Sequence, residues 1–197
     1  MPNTLFLVLD MINDLIHEDG PNGKKGYGPI LERRNVINNT ATAIAKARAA
    51  SVLIGYVRVG FSPDYREVAS NSGLFMGVKN AGLFKLGTWG TEVHPKLAPK
   101  PQDFDIIKHR VSPFYATTLE AILGANKITR LVLCGVSTTG AVLSAAKDGH
   151  DRDYDITILD DCSAAATDEQ HKATLEMVSR FATITTAAEI HQLILQP

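Results

Sequence analysis

Three stretches of this chain carry groups that could do chemistry together. Asp10 closes the apolar run 5–9, so its carboxyl group leaves a buried segment only partly solvated. Desolvation raises a carboxyl pKa and a nearby ammonium lowers it; a group held between those pressures can pass a proton in either direction. Lys108 closes a second strand, Phe104-Asp105-Ile106-Ile107, but with His109 and Arg110 beside it the bare sequence reads as a solvated strand end. The third stretch is the turn Gly135-Val136-Ser137-Thr138-Thr139-Gly140-Ala141, lying between the apolar run 131–134 and an Ala-rich segment that starts at Ala141. A strand–turn–helix junction presents unpaired backbone N–H groups that can receive negative charge. The plain alternatives are a helix-capping Asp10, a job for which Asn13 and Asp14 compete, and a generic turn. A phosphotransfer aspartate is disfavoured because Ile12 stands where a second carboxylate would be.

The elements that must position these groups follow from periodicity. Buried-strand patterns run over 5–9, 52–59, 104–107, 131–134, 156–159 and 183–185, with Gly135 breaking the fourth. Helical spacing covers 30–50, 74–83, 117–125, a segment from Ala141, 168–181 and 187–195. Residues 20–28 read as a Gly-rich loop, and 60–72 as a polar insertion. Strands alternating with helices predict an α/β fold with a parallel sheet covered on both faces. In such sheets ligands bind beyond the strand carboxyl ends, near the switch in strand order. Asp10, Lys108 and the 135–141 turn all fall at such ends, which argues for one shared site.

Length and composition bound the rest. The 197 residues are read as one domain spanning 1–197, long enough to bury about 70% of the unfolded surface. A net charge of -1 with no basic stripe disfavours nucleic acid. No apolar run approaches the roughly 20 residues of a membrane span, and no Gly-rich dinucleotide fingerprint follows a strand. Cys134 and Cys162 are read as buried reduced thiols, which suits a cytoplasmic protein.

The segments LFLVLDMINDLI, FDIIKHRVSPF and GVSTTGAVLSAAKDGHDRDYDITILDDC, in that order, resemble the isochorismatase-like (cysteine hydrolase) family of nicotinamidases, carbamoyl amidases and isochorismatases. The resemblance runs from about Leu5 to the C-terminus. It implies a three-layer α-β-α sandwich and a hydrolase acting on a small amide, carbamoyl or vinyl-ether-type substrate. It places catalytic roles on Asp10 and Lys108, makes the Val136–Ser137 peptide cis, and puts the oxyanion hole on the N–H groups of Ser137 and Ala141. It also implies a homo-oligomer, for which the longer insertion 60–86 and the C-terminal helix offer apolar residues beyond one core's needs, such as Phe75, Met76 and Phe84.

Two departures stand out. Ile12 replaces a common Gln, and Ala141 stands where the family's amidases carry the nucleophilic Cys. An engineered replacement, a natural thiol-free branch and a shifted register would each account for Ala141. Gly135 on one side and Val142-Leu143-Ser144 on the other fix the register, and natural absence is the reading adopted. A catalytically impaired or purely binding member of the same fold is the alternative. Arg58, Phe61, Trp89, Phe114 and Tyr115 are candidate pocket walls, with Arg58 offering a fork for a substrate carboxylate. No cofactor is expected. No metal is expected either: residues 60–72 lack the His of an Asp-x-His motif, and Asp148-x-His150 places its two side chains on different sides of a helix.

Overall fold

The computed structural model describes residues 3–190. Six strands, β1 (Thr4–Leu9), β2 (Leu53–Val59), β3 (Phe104–Lys108), β4 (Arg130–Val136), β5 (Asp155–Ala164) and β6 (Thr183–Thr185), form one sheet in the order β3-β2-β1-β4-β5-β6. Every neighbouring pair is parallel. The helices are α1 (Asn13–Ile16), α2 (Gly28–Arg33), α3 (Val36–Ala49), α4 (Gly73–Ala81), α5 (Leu119–Ala125), α6 (Leu143–His150) and α7 (Asp168–Val178).

Both faces of the sheet are covered, and β1 shows why its sequence is apolar throughout. Phe6 and Val8 point to one face, against Val36, Ala43 and Ala47 of α3. Leu5, Leu7 and Leu9 point to the other, against Leu119 and Leu123 of α5 and Ala145 and Ala146 of α6. A strand buried on both sides has no polar face to offer, which is the rule for parallel sheets. The result is a three-layer α-β-α sandwich.

Several expectations are corrected in detail. The predicted helix 30–50 is two helices, α2 and α3, separated where Asn35 takes a left-handed φ of 55°. Gly135 does not end β4; the strand runs on to Val136 with Gly135 at φ 133°. That backbone angle, and a Cβ that would lie 2.0 Å from the Leu9 carbonyl oxygen, require glycine. β5 extends to Ala164 rather than Leu159, and its pairing with β4 jumps from Leu133↔Ile158 to Gly135↔Ser163. The residues looped out there include Asp160 and Asp161. Neither Asn13 nor Asp14 caps α1: Asn13 Nδ2 donates to the Trp89 carbonyl, and Asp14 Oδ2 accepts from the Phe84 N–H. Phe75 and Phe84 are not surplus, being buried in a satellite cluster with Phe61 and Tyr65. The predicted helix 187–195 lies largely outside the described residues. Among the described residues no helix is long and apolar enough to cross a membrane.

Candidate active site

Strand register brings the three stretches together. Leu9 pairs with Val57 on one side and Gly135 on the other, and Val59 pairs with Lys108. Asp10, Lys108 and the turn after β4 therefore leave the sheet at one level. They do so at the carboxyl edge beside the boundary between β1 and β4, where strand order reverses.

Asp10 turns out of the strand with φ 53° while its N–H remains bonded to the Val57 carbonyl at 2.8 Å. Its Oδ2 lies 2.7 Å from Lys108 Nζ, and its Oδ1 accepts the Val59 N–H at 2.8 Å. Lys108 Nζ also donates to the Arg110 carbonyl at 3.2 Å. Asp10 is 4% exposed and Lys108 2%, so this is a buried ion pair. Burial pushes the Asp10 carboxyl above its ordinary range, against the opposing pull of Lys108 and the Val59 N–H.

The pair opens into a cavity of about 370 Å³ whose floor includes Val136, Ser137, Gly140 and Ala141. The Val136–Ser137 peptide is cis. Residues 138–142 form one wide helical turn that leads into α6, and Ala141 within it is buried. The opposite wall is α4, which contributes Leu74, Phe75 and Val78. Ser72 caps this helix by accepting the Phe75 N–H, and Gly82 ends it at φ 69°.

Residues 23–27, read from the sequence as part of a loop, form a wide helical turn that leads into α2, and Tyr27 at its end lines the same cavity and hydrogen-bonds Ser137. Burial raises its phenol pKa, and the neighbouring Asp10 charge raises it further. The sequence showed Tyr27 only as an aromatic in a loop, with no period to assign it a direction. Asn22 and Leu15 were missed for the same reason.

A second layer holds the turn from behind. Thr138 Oγ1 lies 2.8 Å from His171 Nδ1, and His171 Nε2 lies 2.7 Å from Asp160 Oδ1. His171 Nε2 also lies 2.9 Å from Arg34 Nη2, so the ring is held from one side by Thr138 and from the other by the Arg34–Asp160 pair. Thr138 and His171 are fully buried, and Arg34 closes the network on Asp160. The His171 bond and then the Arg34 charge hold the Asp160 carboxyl below its usual range. His171 shares the buried face of α7 with Thr174, Leu175 and Val178, and the sequence reading, which gave only a helix over 168–181, did not single it out. Its partner Asp160 was hidden by the unpredicted bulge.

The remaining candidates sit elsewhere. Arg58 is turned from the cavity: its guanidinium grips Asp105 at 2.8 and 2.6 Å and donates to the Thr91 carbonyl at 2.7 Å. Trp89 is 45% exposed and stands edge-on to His17, with ring centroids 5.0 Å apart. Tyr115 is 63% exposed and does not line the cavity. Phe114 is buried against Tyr154 and Arg152. Phe61 packs on Phe75. Asp148 accepts from Ser112 Oγ, whereas the His150 ring lies tilted against Phe181 with centroids 4.9 Å apart. Cys134 and Cys162 are buried, unpaired thiols whose pKa values burial pushes up, which makes both inert.

The chain is 32% identical over 180 residues to a ureidoacrylate amidohydrolase of Methylorubrum extorquens, covering 83% of this chain and 70% of that one. It is 30% identical over 175 residues to an Arabidopsis thaliana protein named "Probable inactive nicotinamidase", covering 88% of this chain and 86% of the relative. The crystal structure of N-carbamoylsarcosine amidase from Thermoplasma acidophilum superposes with a TM-score of 0.76 at 28% identity, over 95% of this chain and 97% of that one. The isochorismatase domain family matches residues 4–189. The chain belongs to the isochorismatase family of hydrolases.

Proposed function

We propose that this protein hydrolyses a small amide, carbamoyl or vinyl-ether-type substrate without a covalent thioester, with Asp10 carrying the proton. The observation that carries this reading is the Asp10–Lys108 pair, buried and 2.7 Å apart at the mouth of a cavity. The names of the amidohydrolase and amidase relatives support the substrate class. Ala141, by its place in the turn, occupies the family's nucleophile position, and a methyl group forms no acyl-enzyme.

For an amide, Asp10 as carboxylate takes a proton from a water molecule whose oxygen attacks the carbonyl carbon. The N–H groups of Ser137 and Ala141 receive the oxyanion, and Asp10 returns the proton to the departing nitrogen as the C–N bond breaks. For a vinyl ether, Asp10 as carboxylic acid protonates the terminal alkene carbon, water adds to the oxocarbenium carbon, and the resulting hemiketal collapses. Burial favours the acid form and Lys108 the carboxylate, so both forms lie within reach. Asp10→Asn keeps the shape of the group and removes its transferable proton. A variant that hydrolyses a turned-over substrate at the wild-type rate sinks the mechanism.

A second reading, a binding protein that keeps the pocket without turnover, is favoured by Ala141 and by the relative named inactive. Equilibrium binding of a small amide with no hydrolysis over days distinguishes it. Either activity is proposed to reside in a homo-oligomer; the exposed Leu74 and Met177 supply apolar surface, and sedimentation as a monomer at micromolar concentration contradicts it.

A further inference from the structure

The wall of the cavity bears on the charge and shape of what enters it. Apart from Asp10 and Lys108, no described residue lining the cavity carries a formal charge. Lys108 is already committed to Asp10 Oδ2 at 2.7 Å and to the Arg110 carbonyl at 3.2 Å. None of the described cations that neighbour the lining in sequence is itself part of the wall: Lys79 is exposed on α4, and Lys85 Nζ lies 5.7 Å from the centre of the Tyr65 ring. Arg58 is held by Asp105 and the Thr91 carbonyl. Arg110 donates to the carbonyls of Glu67 and His109, at 2.9 and 2.6 Å. His109 Nδ1 lies 2.6 Å from the Gly60 carbonyl. Most of the remaining wall is aliphatic or aromatic, led by Leu15, Val59, Leu74, Phe75, Val78 and Phe84. Neutral hydrogen-bonding groups come from Asn22, Tyr27 and Ser137, on the side of the turn.

We propose that this site selects an uncharged substrate with an apolar body packed against α4, and rejects carboxylates. The proposal rests on reading the cavity as the active site. A substrate carboxylate would be buried beside the Asp10 charge on a wall whose one described cation, Lys108, is already paired with Asp10, and burying an unpaired ion is strongly unfavourable. A neutral amide or ether loses little on entry, because its few polar atoms meet Asn22, Tyr27 and Ser137 while its carbon chain leaves water. The cavity volume of about 370 Å³ falls at the small end of ligand pockets, which run from roughly 300 to 1,000 Å³.

The test is a ligand-observed NMR titration of the full chain at neutral pH with two probes of equal length, hexanamide and hexanoate. Hexanamide should bind at least about tenfold more tightly. Leu74→Arg, at a position 63% exposed on the cavity rim, adds an uncommitted guanidinium. It should bring hexanoate to within about twofold of hexanamide. Hexanoate binding as tightly as hexanamide to the wild-type chain, or no binding of hexanamide at all, overturns the proposal. The hydrolase reading fails separately. Preferential amide binding without turnover leaves the selectivity standing and removes the hydrolysis, whereas turnover of an anionic substrate over its neutral counterpart does the reverse.

Discussion

Two concavities among the described residues differ in kind, and the larger of the two is the poorer candidate for chemistry. A groove of about 760 Å³ runs between α2, the start of α3 and residues 94–96, and is lined by His17, His94, Lys24, Lys96, Glu18 and Glu32 among others. It has twice the volume of the Asp10 cavity and more titratable groups. Lys24, Lys96, Glu18 and Glu32 are open to water, which screens them. The two imidazoles face each other with centroids 5.2 Å apart, and each Nδ1 accepts a backbone N–H, from Asp19 and Lys96. Burial, helped by His17 and Lys96, lowers the His94 pKa to about 4, which keeps the ring neutral at physiological pH. The smaller cavity instead holds two opposite charges removed from water at the ends of neighbouring strands. Desolvated charge at a strand end, and not volume, marks the place where a proton can be handled.

The largest expected effect separates the two regions. Asp10→Asn should lower the hydrolysis rate by roughly 10²–10⁴, whereas His94→Gln should leave it within about twofold of wild type. A comparable loss from the groove variant would erase the distinction.

Lys108→Met strands the Asp10 carboxylate and should cost about 3–5 kcal/mol in urea unfolding at neutral pH. The sign of the pH dependence follows from the raised folded pKa of Asp10. The folded state binds that proton more tightly than the unfolded state, so Asp10 contributes stability below about pH 3.8 that is lost as pH rises through its folded value. Lys108→Met moves that loss to higher pH, and its destabilisation should shrink on acidification. A pH-independent cost would show that the ammonium acts by packing alone.

His94 has the opposite sign. Its folded pKa of about 4 lies below the ordinary 6.5, so its contribution is present above pH 6.5 and lost as pH falls through about 4. His94→Gln should flatten that limb by on the order of 2–3 kcal/mol. The smallest effect is a kinetic probe of the cavity. Ala141→Cys places a thiol in the cavity with Lys108, and alkylation by iodoacetamide at pH 7 should run about tenfold faster than for free cysteine. An ordinary rate would mean that the cavity field does not reach the turn.

What the sequence revealed about this site was its strand ends. Asp10 is announced by an apolar run that stops at a carboxylate, a local signal that survives without tertiary information, whereas Lys108 reads locally as a solvated strand end and is singled out by the family resemblance. What the sequence concealed depends on pairing between distant segments. Arg58 reads as a free fork, yet it is captured by Asp105 because β2 and β3 are neighbours, with Arg58 opposite Ile107. Asp160 reads as part of a polar loop after a short strand, yet a bulge against β4 turns it toward His171. Tyr27 sits in a segment with no periodicity, so only the folded chain gives it a direction. The family resemblance carried the cis peptide, which no local pattern announces.

The missing side chain at position 135 has a consequence for how the protein tolerates change. With the Leu9 carbonyl where a Cβ would go, any replacement wedges β1 away from β4 and widens the spacing on which Asp10 and the turn depend. In a saturation mutagenesis library selected on activity, Gly135 should behave like a member of the site although it touches no ligand. Its nearest substitute, alanine, should be rejected as firmly as tryptophan, because the first added carbon already does the damage. The aperture of the site is thus written in an atom the chain leaves out.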